Sequence, residues 1–327
     1  VTKVSDLPRK RTLALAHLGA FKPFTDPKTY VAFLFLLPAV AILVVGLLVP
    51  LINAFDLSMY RWSIGVPWDK REFIGWAAFE RMLTDDYVHT SIGVTLQYAF
   101  WIMVLEMVLG TALALMLERP FAGVAVFRTI FILPYMVSPV VVGLIWRYML
   151  DARVGVIDHY LEAIGKQLPF LQPLGFTRLE WLGSPDLALP ALVLTDLWQW
   201  TPFIFIIVLA GLQGLPSEVT EASRIDGANW LQTILFVKLP MLRSILLITV
   251  LMRLIDVFKA LEVIFIMTFG GPGLSTEVLS LHIYKTAFTS QELGYAAAIS
   301  VLLIAIILVL SIGLLRISNP LKERSDL

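Results

Sequence analysis

The sequence predicts an all-α, polytopic membrane protein with six transmembrane helices, and three observations support this fold class. Apolar residues make up 58% of the 327 positions and charged residues only 15%, compared with roughly 25% charged residues in a soluble domain. Six stretches are each long enough, at about 20 residues, to cross the ~30 Å hydrocarbon layer as a helix. The charges are concentrated between these stretches. One helical bundle would account for the chain.

The six predicted spans divide the chain into three parts. The first and last spans contain no charged residue, the fourth contains only Asp196, and the fifth contains four charges. We expect a cytoplasmic N-terminal segment at 1–29, a transmembrane domain at 30–316 and a cytoplasmic tail at 317–327. The predicted spans are residues 30–52, 92–117, 129–149, 187–212, 244–269 and 293–315.

Lysine and arginine predict the orientation, because they are retained on the cytoplasmic side of a membrane. With six spans both termini share one side, and that side collects fourteen of these residues against nine on the other. Both termini and the 213–240 connection are therefore expected to be cytoplasmic. The N-terminal segment lacks the pattern of a cleavable signal, so the first span is expected to be retained.

A polar island at residues 221–240, EASRIDGANWLQTILFVKLP, separates the fourth and fifth predicted spans. Ser217 suits the start of a helix, and acidic side chains such as Glu221 favour its positive end. Gly227 can adopt the left-handed conformation that ends a helix. A second helix is expected from about 228 to 239, before Pro240. The pattern predicts helix, bend and helix along the cytoplasmic face.

Small side chains make the island a candidate docking surface. Ala222, Ser223, Gly227 and Ala228 would let another protein approach the backbone closely, and Glu221 offers a carboxylate to a basic partner. The alternative is an amphipathic helix that lies in the membrane interface without a partner. Composition alone leaves both interpretations open.

The fifth predicted span carries Arg253, Asp256, Lys259 and Glu262, spaced three residues apart with alternating sign. Side chains at this spacing adjoin on one helical face and can form pairs. One charge near the bilayer centre costs roughly 2.5 to 3.5 kcal/mol on insertion scales, so these side chains must face protein or water. They would form either the polar wall of a substrate cavity or an ion-pair ladder that holds this helix to its neighbours.

Several functional classes find no support in the sequence. The absence of cysteine excludes disulfides, thiolate metal sites and a cysteine nucleophile, and the net charge of zero argues against nucleic acid as a partner. No metal-ligating pair of histidines and no catalytic constellation is found. The only Gly-Lys, Gly165-Lys166, lacks the rest of a phosphate-binding G-x-x-x-x-G-K-[ST] loop. The chain is therefore not expected to be an enzyme.

The island resembles the EAA loop of the permease subunits of ATP-binding-cassette importers. The resemblance rests on Glu221-Ala222, Gly227 and Leu239-Pro240. The sequence departs from the family at Ser223, where alanine is usual, and at Ile234, where phenylalanine is common. Four further segments are similar to the carbohydrate-uptake group, and within it to the larger permease of maltose-type importers. They are residues 33–38 (FLFLLP), 127–134 (FRTIFILP), 143–146 (GLIW) and 269–272 (FGGP).

This resemblance implies a type I ABC importer permease fold in a bacterial inner membrane. A second, similar permease would complete the translocation pathway, and an ATPase homodimer would bind ATP and Mg. A soluble binding protein outside would deliver a sugar or sugar derivative, while this chain itself would bind no cofactor. The residues implied to dock on the ATPase are Glu221, Ala222, Ser223, Asp226, Gly227 and Ala228.

The resemblance also implies that the substrate contacts the fourth and fifth spans. Aromatic rings stack on sugar rings, and amide or carboxylate groups reach sugar hydroxyls, although ordinary packing near Pro202 is the alternative. Because Val257 and Ala260 stand where the family has polar residues, we do not expect maltose held in the same way. The pathway candidates are Asp196, Gln199, Trp200, Thr201, Phe203, Arg253, Asp256, Val257, Lys259 and Ala260.

Three functional classes compete for this sequence. The first is an ATPase-driven permease subunit, the second a self-sufficient secondary carrier or channel for a small polar solute, and the third a membrane-embedded enzyme. A carrier would need its own coupling-ion site and usually more spans arranged in two repeats. The sequence favours the first class, and the identity of the sugar, including whether it is anionic, stays open.

Overall fold

The computed structural model of the chain describes residues 27–168, 170 and 178–318, with side chains in 34–168, 170 and 178–316. The described chain is helical apart from one two-stranded hairpin and its loops. It divides into two units, with the boundary between Ala54 and Phe55. The predicted N-terminal segment up to residue 26 and the tail from residue 319 lie outside the described residues.

A long apolar helix covers the first predicted span. It consists of α1 (Pro27–Leu43), a π-helical turn (Val44–Leu48) and α2 (Val49–Ser58). The stretch Leu34–Ser58 has the length and apolar character of a membrane span. The predicted end at residue 52 is too early, because the helix continues through polar residues to Ser58, whose hydroxyl donates to the Phe55 carbonyl at 2.6 Å.

A short hairpin and a short helix follow. β1 (Tyr60–Arg61) pairs in antiparallel register with β2 (Glu72–Phe73), and α3 (Ala77–Met82) comes next. The Gly294 amide donates to the Trp62 carbonyl at 3.2 Å, which holds the hairpin against the start of the last helix. A Cβ at Gly294 would lie 1.9 Å from the Tyr60 carbonyl oxygen. A side chain there would therefore push the hairpin away.

Three long helices form the frame of the second unit: α4 (Asp86–Leu117), α8 (Pro185–Gln213) and α15 (Leu293–Ser318). Asp85 caps α4, since its carboxylate accepts the Tyr87 amide at 3.0 Å. The predicted start at residue 92 is therefore too late, because this cap stabilises polar first turns that are not themselves apolar enough to reveal a span. Buried apolar side chains fill the contact between α4 and α8.

The third predicted span, 129–149, is not one helix. α5 (Val124–Ile132) and a 3₁₀ turn (Leu133–Met136) lead to α6 (Pro139–Met149), at a bend of 96°. The break follows from Pro139, because the residue before a proline is driven out of the helical conformation. Ser138 accordingly has φ −57° and ψ 136°. The connection beyond α6 contains α7 (Val156–Gln167).

The island folds as two helical segments before the fifth span. α9 (Ser217–Ile225) is followed by α10 (Trp230–Thr233), a π-helical turn (Ile234–Lys238) and α11 (Leu239–Met241). The second segment thus begins at 230, where Asn229 and Gln232 form a reciprocal capping box, and not at 228. It also continues through Pro240 and past the expected end at 239.

The fifth predicted span, 244–269, is also broken. α12 (Arg243–Phe258) leaves the island segment at 68° and ends well before residue 269, and α13 (Glu262–Met267) begins again after three residues. The break is stabilised by Ser280, whose hydroxyl donates to the Ala260 carbonyl at 2.5 Å. In a continuous helix that carbonyl would instead accept a hydrogen bond from the backbone amide four residues later.

The predicted number of six spans is reached only if bent pairs are counted. α14 (Leu279–Tyr284) and a π-helical turn (Lys285–Thr289) precede α15. Four described helices are long and apolar enough to cross a membrane singly, and the two bent pairs bring the number to six if each pair is one span.

Candidate functional site

A buried arginine lies at the meeting point of three helices. The guanidinium of Arg253, on α12, donates to both carboxylate oxygens of Glu106 on α4, from Nε at 2.6 Å and from Nη2 at 2.9 Å. Nη2 also donates to the Asp196 carboxylate on α8. Arg253 is 2% exposed, Glu106 0% and Asp196 4%. We call these three residues the Arg253 centre.

Charge pairing explains why the Arg253 centre can be buried at all. An isolated buried charge is costly, and only a partner with good hydrogen-bond geometry offsets the loss of water. The planar guanidinium meets Glu106 with two parallel hydrogen bonds, which fixes orientation as well as charge. The centre thus ties α4, α8 and α12 together at one point.

Aromatic rings lie beside the Arg253 centre. The guanidinium carbon sits 4.4 Å from the centre of the Trp200 ring, within the range of a cation–π contact. Tyr135 contacts Trp200 and Phe203 at ring-centre distances of 5.4 and 5.7 Å. All three rings are partly exposed. Arg253 therefore lies behind an aromatic surface built from α8 and the turn before α6.

Two side chains of α8 have a buried polar atom without a hydrogen-bond partner among the described residues. The Gln199 amide nitrogen donates to the Val137 carbonyl at 3.0 Å. Its oxygen Oε1 and the Thr201 hydroxyl are buried and have no hydrogen-bond partner among the described residues. Buried polar atoms without partners are rare and call for an explanation such as a ligand or water. These two atoms flank Trp200 in the sequence.

The charged run of the fifth span does not form a ladder of consecutive pairs. Arg253 pairs with other helices, whereas Asp256 pairs with Lys259 at 3.2 Å on the surface. Glu262 lies beyond the break and begins α13, so the three-residue spacing no longer places it on the same face. The expected link to neighbouring helices is formed, but by Arg253 with Glu106 and Asp196.

The structure separates the ten pathway candidates into two groups. Trp200, Phe203, Asp256, Lys259 and Ala260 are partly or fully exposed, while the others are buried. Val257 is 2% exposed and belongs to the apolar core. A groove of about 850 Å³ runs between α4 and α8, and its described lining includes none of the ten candidates.

The first half of the island presents an open bend. Gly227 has φ +82°, the left-handed conformation predicted for it, and a Cβ there would meet no atom within 4 Å. Glu221, Ala222 and Asp226 are exposed, and Ala228 is partly exposed. Ser223 is different: it is 9% exposed, and its hydroxyl lies 3.4 Å from the Thr233 hydroxyl on the second helical segment. Ser223 therefore faces the second helical segment and not the surface.

A second charged cluster joins the loop between α13 and α14, which holds Glu277, to His282 on α14 and Lys285 on the turn after it. Lys285 donates to Oε2 of Glu277 at 2.6 Å, and His282 Nδ1 lies 2.8 Å from Oε1 of Glu277. Burial by itself would raise the pKa of Glu277, but the hydrogen bonds from His282 and Lys285 outweigh it and hold that pKa below its ordinary value of 4.5. The cluster fixes the start of α14.

The sequence-based list of site residues left out Glu106 and Tyr135. Glu106 is the only charged residue in its predicted span, so a buried pair with a charge on a neighbouring helix is expected for it, but the sequence does not identify Arg253 as the partner. Tyr135 offers no comparable signal, because its contacts depend on the bend before α6.

Comparison with known proteins places the chain in a family. A family model described as "Binding-protein-dependent transport system inner membrane component" matches residues 106–321, more than half of the 327 residues. The chain belongs to this family. The matched residues include the Arg253 centre, the island and the Glu277 cluster. Members of the family are transport subunits of the inner membrane.

Relatives with names agree with this assignment. The "Probable ABC transporter permease protein y4oQ" of Sinorhizobium fredii is 35% identical over 281 residues, which cover 86% of this chain and 87% of that protein. The "Trehalose/maltose transport system permease protein MalF" of Thermococcus litoralis is 29% identical, covering 88% of this chain and 93% of that protein.

A solved structure shows the same fold. It is a chain of a bacterial alginate ABC transporter in complex with an alginate pentasaccharide-bound periplasmic protein, with a TM-score of 0.73 and 19% identity. The match covers 90% of this chain and 96% of that chain. The fold of this family member is therefore that of an ABC importer permease, as the sequence resemblance implied.

Proposed function

We propose that this chain is the permease subunit of an ATP-driven, binding-protein-dependent sugar importer. It forms the translocation pathway with a second, similar permease, and an ATPase dimer that holds ATP and Mg docks on the island at the cytoplasmic face. A solute-binding protein delivers the sugar from the other side. The names of relatives support the sugar class, and the alginate transporter complex supports the binding protein.

The open bend at Gly227 carries this proposal. Its backbone is unobstructed, and Glu221, Ala222 and Asp226 are exposed on the preceding helix. A basic cleft on an ATPase could therefore seat the bend and pair with the carboxylates. Ser223 contributes indirectly, because its hydroxyl lies 3.4 Å from that of Thr233 and joins the two helical segments. The island would then move as one piece.

The substrate pathway is proposed to pass the aromatic surface beside the Arg253 centre. Trp200 and Phe203 offer ring faces for stacking on a sugar, and Tyr135 adds a third. Asp256 and Lys259 supply partly exposed charges at the end of α12. Arg253 and Asp196 support this surface from behind. Since Val257 is packed in the core, its apolar character suits packing and not sugar contact.

Island variants test the proposed coupling. Vesicles containing the assembled transporter would be supplied with ATP, binding protein and radiolabelled maltose or trehalose. Glu221→Lys and Gly227→Asp are expected to lower uptake at least tenfold while the permeases stay in the membrane, because each disturbs the docking bend. Gly123→Asp is the matched control, since Gly123 has φ +91° and an added Cβ there would meet no atom within 4 Å, but it lies outside the island.

The outcomes separate the competing functions. Loss of uptake in the two island variants together with retention in the control supports an ATPase-driven subunit. Wild-type uptake by both island variants would contradict the proposal. Uptake by this chain reconstituted alone, without ATP, would instead favour the self-sufficient carrier.

A further inference from the structure

A largely buried ion pair joins the island to the end of α4. The Lys238 ammonium lies 2.7 and 2.5 Å from the two carboxylate oxygens of Glu118, and Lys238 is only 9% exposed. Lys238 closes the π-helical turn directly before Leu239 and Pro240. Glu118 directly follows Leu117, the last residue of α4, and is the C-cap of that helix. The contact therefore bridges two elements that are 120 residues apart.

Arg128 fixes the end of α4 from a second direction. Its Nη2 donates to the carbonyls of Leu117 at 2.5 Å and Glu118 at 3.3 Å. These carbonyls belong to the last turn of the helix, where intrahelical partners are missing. A carboxylate at this negative helix end is unfavourable unless a cation accompanies it. Lys238 supplies that cation, which explains why a glutamate can occupy position 118.

We infer that the ion pair of Glu118 and Lys238 is a positioning contact that carries displacement of the island into α4, and through α4 to the Arg253 centre. This inference rests on the proposed function. α4 is continuous from Asp86 to Leu117, and Glu106 lies about 18 Å along it from Glu118 at 1.5 Å per residue. Movement of the helix end therefore reaches the Glu106 carboxylate directly.

Close packing gives the same displacement a path into α8. A Cβ at Gly110 of α4 would lie 2.7 Å from Ile204 Cγ2 on α8, so the two helices are in close contact at this point. The island is already continuous in sequence with α8 and α12. The ion pair adds the third helix of the Arg253 centre to this set. Displacement of the island would then move all three helices that meet at the Arg253 centre.

Charge reversal and charge exchange test the contact. The variants are Lys238→Glu, Glu118→Lys and the double exchange, each in the transporter assembled with its copurifying ATPase and second permease. Lys166→Glu is the control, because it reverses an exposed Lys–Glu pair of 2.8 Å on α7. The readouts are the amount of assembled complex, ATP hydrolysis, and uptake of radiolabelled maltose or trehalose.

Spin labels report the movement itself. The chain contains no cysteine, so cysteines introduced at the exposed positions Met116 on α4 and Phe236 on the island can be labelled specifically. In the wild type, trapping with ATP and vanadate is expected to leave the distance between the labels unchanged, because the two elements move together. In the single reversals that distance is expected to change on trapping.

The expected result has three parts. Each single reversal lowers uptake at least tenfold per assembled complex while ATP hydrolysis continues, and the double exchange restores at least half of the wild-type uptake. The Lys166→Glu control keeps wild-type uptake. The inference would be overturned if the single reversals kept full uptake and an unchanged distance between the labels. It would also be overturned if the double exchange restored neither the uptake nor the unchanged distance. Absence of ATP-dependent uptake in the wild type would instead count against the proposed function.

Discussion

At the scale of single residues, the burial of Arg253 determines how the bundle is held together. Its guanidinium forms ion pairs with one carboxylate on each of two other helices. Because Arg253 is only 2% exposed, water does not replace these partners. Removing one member of a buried ion pair is far more damaging than forming the pair is stabilising, because the remaining charge stays desolvated. The Arg253 centre is therefore sensitive to neutralisation.

Replacement of the arginine tests this sensitivity. Arg253→Leu would leave Glu106 and Asp196 without a cation, so we expect a loss of about 3 to 5 kcal/mol in the free energy of unfolding. Unfolding of the detergent-solubilised protein in a denaturant series would measure it. Lys259→Leu is the control, since its ion pair is exposed, and such pairs contribute only about 0 to 1 kcal/mol. Equal losses in both variants would contradict the buried-pair account.

Residue-level prediction succeeded where the cause was local. Gly227 in the left-handed conformation could be predicted because a helix end and its glycine are neighbours in the chain. The pairing of Arg253 with Glu106 could not, because the two residues are 147 positions apart and only packing brings them together. The buried position of Ser223 also depends on a contact, with Thr233 on the other helical segment.

At the scale of elements, the close approach of α4 and α8 is the main packing feature. Gly110 lets the two backbones come together, and Ile204 fills the space left by the missing side chain. Small residues commonly allow this kind of approach between membrane helices. The contact places Glu106 and Asp196 on neighbouring helices that both face Arg253.

Two glycine variants of α4 separate packing from helix propensity. Gly110→Ala would force a methyl group against Ile204, so we expect destabilisation of about 1 to 3 kcal/mol. Gly93→Ala, in the same helix with no atom within 4 Å of the added Cβ, should be neutral or slightly stabilising because alanine favours helix. Denaturant unfolding of both variants would show whether only Gly110 is sensitive. Equal effects would contradict the packing role.

The Glu277 cluster predicts a pH dependence with a defined sign. Because the pKa of Glu277 is lowered in the folded protein, its ionised form stabilises the fold above the ordinary value of 4.5, and this contribution is lost as the pH falls through the lowered pKa. The Tm difference between wild type and Glu277→Gln should therefore be largest near pH 7 and shrink below about pH 4.5. A difference that grew on acidification would contradict this assignment.

The breaks in the third and fifth predicted spans show why element prediction failed there. Apolar composition predicts the presence of a span but does not reveal where it breaks. Pro139 gave a local signal for the first break, and it could have been used. The break after α12 depends on Ser280, which reaches the Ala260 carbonyl from a different part of the chain. No periodicity in 244–269 contains that information.

At the scale of the whole molecule, the proposed mechanism needs partners that supply energy and complete the pathway. The family match and the type of fold could be anticipated from the island and the four similar segments, since those motifs are contiguous in sequence.

The orientation of the termini stays a prediction from lysine and arginine counts. An accessibility tag after residue 316 should react only from the cytoplasmic side, and a reaction from outside would contradict that orientation.

The central claim is that this chain transports only when a separate ATPase drives it through the island. Its most direct test is uptake of radiolabelled sugar by vesicles that hold either the full transporter with ATP and binding protein or this chain alone. We predict ATP-dependent uptake by the full transporter, loss of at least nine tenths of it in Gly227→Asp, and none by the chain alone. Uptake by the chain alone without ATP would contradict the account.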